Sequence, residues 1–68
     1  MLDTARLSDV IKQQGLTVST LADNIGIDRS TFYRKLKSGG GTFLLWEIDS
    51  IVKYLGLTGH DALDIFLS

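Results

Sequence analysis

The chain is expected to fold as an all-α domain of five short helices, and three observations carry that expectation. Apolar residues recur at three- and four-residue intervals in five separate stretches. Glycines and short polar residues sit between these stretches, where helices stop and start. No segment of useful length alternates apolar and polar residues as a half-buried strand does, and no internal repeat or low-complexity tract is visible.

The 68 residues make one domain, 1–68, close to the small end of what folds alone. There is no cysteine, hence no disulfide and no thiolate metal site, and the single His60 has no partner at zinc-ligand spacing. Stability must come from packing, helped by any self-association. No apolar run approaches a membrane span, and Asp3 and Asp9 occupy the N-terminal region where a leader would be basic. A cytoplasmic protein without membrane contact is the expectation.

Residues 3–14 read as the first helix: Asp3 or Thr4 can cap it, Leu7, Val10 and Ile11 form its apolar row with Gln14, and Gly15 ends it. Thr17 caps the second, in which Val18, Leu21, Ala22 and Ile25 make one narrow stripe. Ala22 suits close approach of another helix, and Gly26 can take the left-handed conformation of a tight turn. Asp28 caps a third helix from Arg29 to Lys37 whose buried row is Phe32 and Leu36. Ser38 to Thr42, with three glycines, is a loop between helices, and its amides are also placed to approach a phosphate.

The fourth helix, Leu45 to Leu55, packs through Leu44, Ile48, Ile51, Val52 and Leu55 and ends at Gly56. Trp46 lies nearly opposite that row, so it either folds over the helix start or marks a contact surface. Thr58 opens the last helix in a capping-box-like arrangement with Asp61. Leu63, Ile65, Phe66 and Leu67 then offer more apolar surface than one face of a short helix needs, and a second copy is a natural recipient of the surplus.

Net charge is −1, but its distribution is uneven. Residues 28–38 hold Arg29, Arg34, Lys35 and Lys37 against Asp28, a local +3, while the remainder is −4. At about 100° per residue, Arg29, Ser30, Tyr33, Arg34 and Lys37 share an arc of about 140° that excludes Phe32 and Leu36. Thr31 and Lys35 flank it, facing solvent or phosphate. The alternative for Tyr33 is to tuck its ring against the domain.

Ala22, Gly26 and Phe32, spaced four and then six and surrounded by Leu21, Ile25 and Ile27, resemble the helix-turn-helix of lambda-type phage repressors and Cro proteins, the XRE-like family. GIDRSTFYRKLKSG followed by FLLWEIDSIVKYLGL is similar to small phage-encoded regulators, and the resemblance covers nearly the whole chain. It implies a lambda repressor-like five-helix domain with its helix-turn-helix at about 17–38, acting on double-stranded operator DNA as a homodimer. It also implies base contacts from Arg29, Ser30, Tyr33 and Arg34, and backbone contacts from Thr17, Ser19, Thr31, Lys35 and Lys37. Arg suits guanine O6 and N7, Ser several base edges, and Tyr a thymine methyl.

Trp46, Ile65, Phe66 and Leu67 are the candidate dimer or partner interface. Val18, however, stands where many relatives carry a glutamine that clamps the DNA backbone. With the acidic remainder, that departure keeps a second reading open: a helix-turn-helix scaffold that binds another phage regulator as an antirepressor or modulator. One histidine, no cysteine and a chain too small for a deep pocket argue against an enzyme, a metal, a cofactor or a small-molecule ligand.

Overall fold

Each helix begins on a side chain or backbone arrangement that satisfies its first free amides. In the computed structural model, which describes residues 2–67, these starts produce five helices and no strand among the described residues. They are α1 (Thr4–Gln13), α2 (Val18–Ile25), α3 (Arg29–Lys37), α4 (Leu45–Leu55) and α5 (Gly59–Phe66). Asp3, Thr17, Asp28 and Thr58 cap α1, α2, α3 and α5 by accepting from backbone N–H groups in the first turn. The fourth start differs. There the Glu47 carboxylate reaches back to accept the Leu44 N–H at 2.8 Å.

The described residues form an all-α, five-helix domain, as the apolar spacing predicts, and the helix boundaries agree with those read from the sequence to within a residue or two. Gly26, at φ 79°, ends α2. Its N–H donates to the Asp23 carbonyl, and the next N–H, of Ile27, returns to the Ala22 carbonyl at 3.0 Å. That turn folds Ile27 into the core beside Leu21 and Ala22.

The core is built from Leu7, Ile11, Leu21, Ala22, Phe32, Ile51, Leu55 and Ile65, joined at its edge by Leu2, Ile27 and Phe43. α2 lies at its centre, packing against α1, α3 and α4, while α1 also meets α5. Ala22 is fully buried, so the small side chain sets how closely α2 is approached. The Phe32 and Phe43 rings meet edge to face, 5.4 Å between centroids, which fastens α3 to the segment leading into α4.

Three details differ from the sequence reading. Leu44 is exposed rather than packed, because it forms the turn ahead of α4 and its place in the core is taken by Phe43. Leu36 and Ile48 lie at the margin of the core, half-buried. Ile65 is wholly inside the core, so it cannot belong to a surface shared with a partner; the short α5 spends it on α1. No helix among the described residues is long and apolar enough to cross a membrane.

Candidate nucleic-acid interface

The turn at Gly26 presents α3 across α2 with its polar arc outward. Arg29, Ser30, Tyr33, Arg34 and Lys37 are all exposed, whereas Phe32 is fully buried on the opposite side of the same helix. Asp28 accepts from the Ser30 and Thr31 amides, fixing the point where the arc begins. Tyr33 leaves half its surface in solvent, and its hydroxyl approaches Ser19 Oγ on α2 at 3.4 Å, so the ring is not tucked into the domain. Ser19 and Tyr33 thereby join the two helices along one ridge.

Thr17 performs the capping role assigned to it. Its Oγ1 accepts from the Thr20 N–H at 3.1 Å and lies 2.9 Å from the Thr20 hydroxyl, so the group is already engaged within the first turn of α2. Thr31 is half-buried beside Asp28. Gly39 and Gly40 use their amides to cap α3, donating to the Leu36 and Lys35 carbonyls. Those two are therefore not free for a phosphate.

Two of the four cations of α3 are ion-paired within the domain. Arg29 forms a bidentate pair with Asp23 of α2, Nε lying 3.0 Å from Oδ1 and 3.2 Å from Oδ2 while Nη2 bonds to Oδ2. The hydrogen bond to Arg29 and its charge hold the Asp23 carboxyl below its ordinary value, and the carboxylate raises Arg29 in return. Both groups remain well exposed, so water screens this pair.

Lys35 behaves differently, and the expected phosphate contact does not survive. Its side chain is only 14% exposed and its ammonium turns inward to Glu47, 5% exposed on α4. The Nζ also lies 5.8 Å over the Phe43 ring. Burial pushes the Glu47 carboxyl up, but the Leu44 N–H and the Lys35 ammonium outweigh it and hold the group below its ordinary value. Arg34 and Lys37 are the cations of α3 left without an ion-pair partner among the described residues.

A second surface lies at the junction of α4 and α5. Trp46 is 53% exposed and, with Leu44, Leu45 and Asp49, lines an open depression. Leu45, 82% exposed, also borders a groove of about 280 Å³ floored by Ile48, Ala62 and Phe66 and edged by Leu63 and Leu67. The apolar surplus read from Trp46, Phe66 and Leu67 is thus contiguous, through Leu45. Sequence reasoning missed Leu45, and it missed Phe43 and Glu47 as buried groups. Among protein-family models, curated proteins and solved structures, none matches this chain.

Proposed function

We propose that this domain is a sequence-specific DNA-binding transcriptional regulator of phage or prophage type that reads an operator major groove with α3. The observation that carries the reading is the exposed arc of Arg29, Ser30, Tyr33 and Arg34, held on a helix whose other side is locked into the core by Phe32. Side chains of this kind match base edges, and Lys37 at the C-terminal end of α3 supplies a phosphate contact without sequence information. No cofactor or metal enters the reading.

The protein acts as a homodimer on paired half-sites about 34 Å apart, one helical turn or a multiple. The exposed apolar side chains of Leu44, Leu45, Trp46, Leu63 and Leu67 supply the face on which the two copies meet.

Selection from a random duplex pool tests the proposal. A single enriched, two-fold symmetric motif is expected. Arg34→Ala should relax preference at one base pair, and Lys37→Ala should weaken all duplexes alike and lower the salt slope by about 1. No enriched motif would overturn the reading.

The internal pairing of Arg29 and Lys35 favours a second reading, in which the same scaffold binds another regulator through the α4–α5 surface. A gel shift with the DNA upstream of its own gene, with and without the neighbouring regulator, separates them. No shift alone, together with a stable protein complex, supports the second.

A further inference from the structure

The Arg29 guanidinium is not simply neutralised by Asp23; it is oriented by it. Asp23 takes the edge formed by Nε and one N–H of Nη2. The terminal edge, Nη1 with the second N–H of Nη2, makes no hydrogen bond among the described residues, and the Arg29 side chain is 61% exposed. A guanidinium is planar with five N–H groups in a fixed fork, so gripping one edge dictates where the other points. Arg29 is also the first residue of α3, the end of a recognition helix that meets base edges.

The chemistry of the free edge narrows what it can read. Two parallel N–H donors match the O6 and N7 acceptors of guanine, whereas adenine and cytosine each present an amino donor that faces the fork unfavourably. A phosphate gains less from this edge than from an unpaired arginine, because the Asp23 carboxylate offsets the charge of the guanidinium. Guanine offers lone pairs without that charge. Holding the side chain in advance also removes rotamer freedom that a free arginine would lose on reaching the base.

We infer that Asp23 is a specificity-determining residue, which positions the Arg29 guanidinium so that its terminal N–H pair selects guanine at one position of each half-site. The inference rests on the DNA-binding reading above. It adds that an acidic residue of α2, which taken alone would weaken DNA affinity, sharpens base choice. Asp23 itself touches no DNA and acts through Arg29.

The test uses the full chain in duplex selection, then titrations against the selected site and against the same site with one guanine replaced. For the wild type the replacement should weaken binding roughly tenfold. In Asp23→Ala the same replacement should cost less than about threefold, with affinity for unrelated duplex unchanged or higher because an acid has been removed. In an Arg29→Ala background, Asp23→Ala should cause no further loss of discrimination. Discrimination at every position equal to the wild type in Asp23→Ala would overturn the inference while leaving the DNA-binding reading intact. Uniform weakening on all duplexes would also overturn it, since that marks a change in the placement of α3. Failure of the wild type to select any motif would remove the DNA-binding reading itself, and this inference with it.

Discussion

The two ends of α3 carry the same chemistry in opposite surroundings. At its start, Arg29 meets Asp23 in water, with both partners about half exposed or more. Near its end, Lys35 meets Glu47 inside the domain, with the carboxylate also tied to the Leu44 amide and an aromatic ring beneath the ammonium. The first pair leaves part of its arginine free for a ligand. The second turns its cation inward, and instead fastens α3 to α4. A cation count along α3 thus overstates what is offered to a polyanion, and surroundings decide which charges act outwardly.

Breaking the buried pair should produce the largest effect. Glu47→Ala leaves an ammonium without a partner in a dry site and removes the Leu44 cap, which should cost about 3–5 kcal/mol, a large fraction of the stability of so small a domain. Urea denaturation would measure it. Replacing both partners by apolar residues of similar volume, Lys35→Met with Glu47→Leu, should recover most of that loss. If the single variant were as stable as the wild type, the pair would be ornamental and the contrast between the two ends would collapse.

Acid should act on the same pair. The folded-state Glu47 carboxyl lies below its ordinary value of about 4.5, so its contribution is present in full above that pH and is lost as pH falls through the lowered value. Melting temperature should therefore fall on acidification, and fall less in the double variant.

The next effect tests the loop that separates α3 from α4. Gly40 sits at φ 81°, and a Cβ there would come within 2.5 Å of the Leu2 Cβ. Both the conformation and the contact oppose a side chain, so Gly40→Ala should destabilise by about 1–3 kcal/mol. Gly41→Ala, which meets nothing within 4 Å, serves as the control. Equal stability of the two variants would show that Leu2 does not hold the loop.

Helix starts, stops and the main core were legible in the sequence because they depend on near neighbours: Thr17 three residues before its amide, Gly26 at a turn, Phe32 on a row. The buried ion pair was not read, although the spacing contained a signal. On a helical wheel Lys35 lies about 60° from Phe32 and about 100° from Arg34, so it belongs to the buried edge. Glu47 likewise lies about 40° from Ile51. Two opposite charges on the buried edges of successive helices point to each other, but only once the chain between them is known to fold back, which Phe43 against Phe32 accomplishes. Ile65 was misassigned for the reverse reason: four apolar residues in five give no indication which of them faces inward, and packing on α1 settles it.

A smaller effect is expected at the apolar face. Sedimentation should show reversible dimerisation at micromolar concentration, weakened in Leu45→Asp with no change in melting temperature of the monomer, since Leu45 is the most exposed of the large apolar residues there. A monomer throughout, unaltered by the substitution, would detach this face from self-association.

The smallest effect belongs to the exposed pair, and its form matters more than its size. Asp23→Ala should leave the denaturation midpoint unchanged within error, because water replaces what the carboxylate loses. The pair should still be visible in titration. Asp23 should protonate below the ordinary carboxylate range, and its midpoint should rise toward that range in Arg29→Ala or in molar salt, which screens exposed charges. Glu47, shielded by the core, should keep its lowered midpoint in the same salt. Carbon-detected titration of both carboxyls in one sample makes the comparison internal. If salt moved both midpoints alike, the two ends of α3 would share one environment, and Arg29 would have no greater freedom than Lys35 to meet a ligand.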